Sequence, residues 1–133
     1  MSDVSRPDRR EEGLTPELRA RWLLIKWTMA EAGHPMFLVE GLRSRERQAW
    51  LYDQGRTRPG PVVTHARPGQ GRHEPGEDGL GRAFDAAFTG SQPYAESHHW
   101  AQYGAAVRAQ GLVWGGDWQT PDRPHAQLKP KIE

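Results

Sequence analysis

VTHARPGQGRHEPGEDGLGRAFDAAF, residues 63–88, changes character part-way: a loop rich in Gly and Pro gives way to the alternating run Arg82-Ala83-Phe84-Asp85-Ala86-Ala87-Phe88. Successive side chains of a strand point to opposite faces, so Phe84, Ala86 and Phe88 share one side and Ala83, Asp85 and Ala87 the other. The phenylalanines can bury, while the alanines leave room beside Asp85 for an ion. His73 precedes this strand, and His125 closes the later stretch PDRPH, residues 121–125. Two imidazoles and a carboxylate are the kind of ligand set that catalytic zinc takes, with a fourth position left for water. His73, Asp85 and His125 are therefore the candidate metal ligands. Glu74, Glu77 and Asp78 lie in HEPGEDGLG, punctuated by Gly and Pro, and read as solvated loop carboxylates.

Upstream, Thr15 followed by Pro16 and Glu17 reads as a helix start, and Leu18, Trp22, Ile25 and Met29 recur at helical spacing. This predicts a helix over 16–32, stopped by Gly33, with His34 in the loop against the last carbonyls. Phe37, Leu38 and Val39 mark a strand within 36–42 that delivers Arg43 to its end. Ser44 caps a second helix that runs through Gln54 and stops at Gly55. An arginine at a strand end can hold a carboxylate or a developing oxyanion through its fork of donors, and a plain surface arginine is an equal reading of the residues alone. Gln48, one turn into the helix, faces the same way; Arg45 and Arg47 read as solvated.

Residues 56–71 read as loop, with a brief strand at Val62-Val63 and with His65 on the surface or at a pocket edge. Tyr94, Trp100, Tyr103, Ala106 and Val107 are spaced for a helix within 91–110, ended by Gly111. His98 and His99 would diverge around it on a solvated face. Residues 112–114 and 125–128 read as two short strands joined by a glycine-rich turn that carries Trp118.

At 133 residues the chain is read as one domain, residues 14–133, behind a charged, mobile tail, residues 1–13. A formal charge of +1 leaves no electrostatic footprint for nucleic acid. No apolar run is long enough to cross a membrane, so no insertion is expected. The start MSDVSRPDRREEG lacks the apolar centre of a secretory signal, which predicts synthesis in the cytoplasm. A monomer is expected. With no cysteine, His and carboxylate are the strong metal ligands available.

Several ordered segments carry a family likeness. They are Gly41-Leu42-Arg43-Ser44 followed by Gln48, Leu51 and Gly55; Thr64, Ala66, Pro68 and Gly69 as T-x-A-x-P-G; then His73. Gly81, Ala83 and Asp85 follow as G-x-A-x-D, then the turn from Gly111 through Trp114 to Trp118, then Asp122 and His125 as D-x-P-H. Over residues 14–128 the chain resembles the M15-type zinc peptidases, which include D-alanyl-D-alanine carboxypeptidases and the L-alanyl-D-glutamate endopeptidases of phage endolysins. The resemblance implies a small α+β domain of the Hedgehog/DD-peptidase kind, with a mostly antiparallel sheet flanked by helices and the metal in a groove on the sheet. It implies one Zn2+ per chain on His73, Asp85 and His125, with Asp122 as catalytic acid and base. Arg43 is implied in substrate binding and catalysis, and Gln48 and Trp118 in substrate binding.

The implied activity is cleavage of a peptidoglycan stem peptide at the L-alanyl-D-glutamate bond, by an enzyme released to the wall at phage lysis. A D-alanyl-D-alanine carboxypeptidase or dipeptidase is the alternative within the same chemistry. A non-catalytic, metal-stabilised wall-binding or virion-structural domain is the alternative outside it. Two departures stand out: Gly71 takes the place of a family serine, and residues 74–80 lengthen the loop after His73. That loop is expected at the rim of the cleft, tuning access without ligating.

Overall fold

In the computed structural model, which describes residues 3–130, Thr15 accepts a hydrogen bond from the Leu18 N–H at 3.2 Å and opens helix α1, Pro16–Glu31. Such a cap contributes about 1 kcal/mol. Leu18, Trp22, Ile25 and Met29 form its buried stripe, each contributing about 1.5–3 kcal/mol by leaving water. Gly33, at φ 86°, takes the left-handed turn that ends it. Strand β1 is Met36–Glu40, and helix α2, Arg45–Asp53, starts from the Ser44 hydroxyl. Strand β2 is Ala83–Phe88, helix α3 Trp100–Ala109, β3 Val113–Trp114 and β4 His125–Gln127. This is the α+β class that the residues and the resemblance imply.

The four strands form one antiparallel sheet in the order β1-β2-β4-β3. Phe84, Ala86 and Phe88 turn one face of β2 to the core, where Trp22 of α1 meets Phe84 at 5.1 Å and α3 adds Tyr103 and Val107. Asp85 therefore emerges on the other face. Across from it, β4 pairs Asp85 with His125, so one register fixes both residues. On the other side, Leu38 pairs with Ala86 but Glu40 pairs with Asp85. Two steps of β1 thus oppose one of β2, a bulge that carries Glu40 from the core face to the face of Asp85.

Several elements differ from the expectations. Val62 and Val63 are exposed and outside any strand. The third helix begins only at Trp100: residues 91–99 form turns, tied by Phe88 N–H to the Pro93 carbonyl and by the Trp100 indole to the Ala95 carbonyl at 2.9 Å. His98 and His99 thus lie ahead of the helix, not on it, and stack on Phe88 and His34 respectively. Over the described residues 3–13 the stretch expected as a tail makes contacts with the domain. Glu11 accepts from the buried Trp22 indole, Gly41 N–H reaches the Asp8 carbonyl at 2.9 Å, and Arg47 donates to the Val4 carbonyl at 2.7 Å.

Candidate active site

His73, Asp85 and His125 each bring a ligating atom to within 4.8 Å of the others. His73 is buried just before β2, and its Nδ1 donates to the Gly41 carbonyl at 2.9 Å, which leaves the Nε2 lone pair facing Asp85 Oδ2 at 3.6 Å. His125 is fixed by the opposite nitrogen: Nε2 donates to the Gln127 side-chain oxygen at 2.8 Å, so Nδ1 faces Asp85 Oδ1 at 3.3 Å. Partners of this sort set the tautomer and aim the free lone pair. Asp85 Oδ1 is itself buried without a hydrogen-bond partner. Three lone-pair groups converging on one point, one of them an orphaned carboxylate oxygen, suit a cation.

The electrostatics agree. Burial opposes ionisation of Asp85, but the two imidazoles facing it, whenever they carry a second proton, outweigh that and hold its carboxyl far below the ordinary carboxylate range. His125 is raised: burial works against its protonated form, and the contact with Asp85 outweighs it. A proton on either ring competes with a metal for the same lone pair.

Glu40 is the polar residue that the sequence reading missed. Only 4% exposed, it accepts from Arg43 at 2.7 Å and also from Arg47, whose side chain is mostly covered, not solvated as expected. Its carboxyl is pulled below its ordinary value because the hydrogen bonds and charges of both arginines overcome the opposing effect of burial. A carboxylate in core register on an apolar strand, with arginines three and seven residues on, was the available signal. Arg43 also donates to the Gln48 side-chain oxygen at 2.9 Å and passes Asp85 at 3.8 Å. Gln48 is fully buried and donates onward to the Ala66 carbonyl at 2.7 Å.

A cavity of about 370 Å³ opens over the cluster, with Arg43, Gln48, Trp118 and Asp122 in its walls. Trp118, 40% exposed, lies 4.9 Å from the His125 ring. Asp122 projects from the turn before β4, held by its N–H to the Gly115 carbonyl at 2.8 Å. A Cβ on Gly115 would come within 2.3 Å of the Asp122 carbonyl, so the bare backbone of that glycine sets how close the turn lies. Although Asp122 is exposed, the protein crowded around it, followed by the charge of Asp85, raises its carboxyl pKa.

Comparison with known proteins bears on this constellation. The chain is 33% identical over 116 residues to the peptidoglycan L-alanyl-D-glutamate endopeptidase CwlK of Bacillus subtilis, covering 80% of this chain and 68% of that protein. The profile described as D-alanyl-D-alanine carboxypeptidase, of the M15 peptidases, matches residues 76–128. The chain belongs to the M15 peptidase family. Among solved structures, the Serratia marcescens L-Ala D-Glu endopeptidase ChiX is 26% identical with a TM-score of 0.61, covering 97% of this chain and 90% of that one. An L,D-carboxypeptidase, DacB of Streptococcus pneumoniae, shares the fold at 23% identity and a TM-score of 0.63, covering 97% and 74%.

Within this M15 peptidase, the two sequence departures have local accounts. A Cβ on Gly71 would stand 3.0 Å from the Gln48 side-chain oxygen, so Gln48 fills the space that a serine there would need. The lengthened loop does not line the cavity, contrary to the expected place at its rim. Glu74 accepts from Gly69 N–H at 2.7 Å, Asp78 pairs with Arg82 at 3.1 Å, and Gly76 N–H reaches the Leu80 carbonyl, folding the segment on itself. His65 is exposed and outside the cavity, as a surface residue.

Proposed function

We propose that this M15 peptidase is a zinc-dependent endopeptidase of bacterial peptidoglycan that cuts the L-alanyl-D-glutamate bond of the stem peptide. The observation that carries the reading is the convergence of the His73, Asp85 and His125 lone pairs beside Asp122 in one open cavity. These three residues would hold the zinc, which when bound supplies Lewis acidity toward water and a peptide carbonyl. Asp122 accepts a proton from the attacking water and passes it to the amine as the C–N bond breaks. Its pKa, raised by burial, makes the carboxylate a readier proton acceptor.

Arg43 keeps one N–H on each terminal nitrogen after donating to Glu40 and Gln48, and turns these to the carbonyl oxygen. The likeness to CwlK and ChiX favours an endopeptidase over a carboxypeptidase. Gln48 acts by holding Arg43, and Trp118 borders the bound peptide.

The test is mass spectrometry of fragments released from purified peptidoglycan by metal-loaded protein. New D-glutamate amino termini support the reading. Release of a single carboxy-terminal D-amino acid assigns a carboxypeptidase instead, and intact peptides in the presence of bound metal leave only a binding domain.

A further inference from the structure

The charge of the chain is unevenly spread. Residues 43–72 hold seven arginines and two carboxylates, Glu46 and Asp53, a surplus of +5 in a chain whose formal charge is +1, so the remainder carries −4. Arg43 and Arg47 spend their charge on Glu40. Arg45, Arg56, Arg58, Arg67 and Arg72 meet no carboxylate among the described residues. Elsewhere such meetings are common: Arg21 reaches Glu17 and Arg108 reaches Asp117, each at 2.6 Å.

The unpaired arginines gather along one edge. The Arg56 guanidinium donates to the Thr64 carbonyl at 3.2 Å and lies 3.7 Å from the centre of the Tyr52 ring. Arg58 stands over the Trp50 ring in the same way and donates to the Trp50 carbonyl at 2.7 Å. Arg45 reaches from the start of α2 to Gly69, where a Cβ would be 3.6 Å from its Nη2. Arg56 and Arg45 therefore mark the two ends of residues 64–69, separated by no more than about 18 Å of chain, with Arg67 exposed between them. Thr64 and Ala66 of that stretch line the cavity over His73, Asp85 and His125, and Arg72 joins them, so the cations form one of its rims.

A guanidinium has five N–H donors in a fork that matches phosphate, and contact with a ring or a carbonyl presets its plane while leaving donors free. Cations spread along an open edge suit a flexible chain of repeated charge better than a single ion. Nucleobases need free aromatic faces, and here Trp50 and Tyr52 are each faced by an arginine. The exposed apolar side chains of the stretch are Val62 and Val63, short of the aromatic and leucine anchors that a bilayer interface takes.

We propose that this arginine rim docks a phosphodiester polymer of the bacterial cell wall, holding the enzyme on the wall beside its cleft. The choice of a wall polymer rests on the peptidase reading above; the charge pattern stands apart from it.

The experiment titrates the full chain with poly(glycerol phosphate), with single-stranded DNA and poly-L-glutamate of matched charge, and with vesicles containing phosphatidylglycerol, at about 50 and 200 mM salt. Wild type is expected to bind poly(glycerol phosphate) most tightly and to lose roughly 20- to 50-fold in affinity between those salts, as three or four phosphate contacts dictate. The double variant Arg45→Gln/Arg67→Gln changes two exposed side chains, so the fold should tolerate it. It should bind more weakly at low salt and lose only roughly two- to sevenfold between the salts, with cleavage of a soluble stem peptide within about twofold of wild type. Arg45→Glu/Arg67→Glu should abolish binding. Absence of poly(glycerol phosphate) binding by wild type at low salt, or an affinity and salt dependence unmoved in both double variants, overturns the docking rim. Tighter binding of DNA, polyglutamate or vesicles overturns its assignment to a wall phosphodiester. If wild type leaves the soluble stem peptide intact, the peptidase reading fails by itself, and the titrations still decide the rim.

Discussion

The two sides of the cleft are built differently. On the sheet side, Asp85 and His125 are cross-strand partners and His73 is tied to the Gly41 carbonyl, so the cluster inherits the rigidity of the strands. Across from it, Asp122 and Trp118 stand exposed on a turn, held by backbone hydrogen bonds and by the closeness of Gly115. The groups that would hold an ion are largely buried and fixed by strand pairing or a ring hydrogen bond, whereas Asp122 and Trp118 meet water. Holding and reacting should therefore come apart under mutation.

The sharpest break is His125→Ala. It removes one of three ligands, and the protein should be isolated without zinc and without turnover by elemental analysis and peptide assay; full metal content would sink the ligand set. On the turn side, Asp122→Ala should keep zinc and fold while turnover falls roughly a hundredfold or more. Activity within a few-fold of wild type would place the proton acceptor elsewhere.

Glu40→Gln probes the footing of the sheet side. It leaves two nearly buried guanidinium groups short of their carboxylate, and urea titration should register a loss of about 3–5 kcal/mol. The sign with pH follows from the lowered pKa of Glu40. Its stabilisation is complete above the ordinary value of 4.5 and is lost as pH falls through the lower folded value, so the variant's acid limb should be flatter than wild type. Arg43→Lys keeps the charge and loses the fork, and kcat/KM should drop by roughly tenfold; an unchanged value would mean that charge alone suffices. Smallest of all, Glu77→Ala and Asp78→Ala lie outside the cavity and should leave both zinc content and turnover within about twofold, at the level of ordinary surface substitutions.

These contrasts also explain what could be read ahead of the structure. Asp85 was legible because its strand alternates cleanly, and α1 because a capping threonine and a four-residue apolar stripe agree with one another. Glu40 was not, since the bulge that reverses its direction depends on how β1 meets β2. Residues 91–99 carry an aromatic spacing that fits a helix, yet Tyr94 stays in water and the Trp100 indole closes a turn instead. Periodicity reports which side chains tend to bury; it does not report where a loop takes its own hydrogen bonds. A second cavity, beside the turn before β4, is of that kind, since Tyr94, Trp100 and Pro124 come to line it together only through the fold.

The pairing of Asp85 with His125 has one more consequence. A slip of β4 by a single residue would swing His125 to the opposite face and put Ala126 beside Asp85. Only a chain with its last strand in register brings His73, Asp85 and His125 together, so an ion bound there would favour that alignment of a three-residue strand over its neighbours. Such an ion would act as arbiter of folding before taking any part in chemistry.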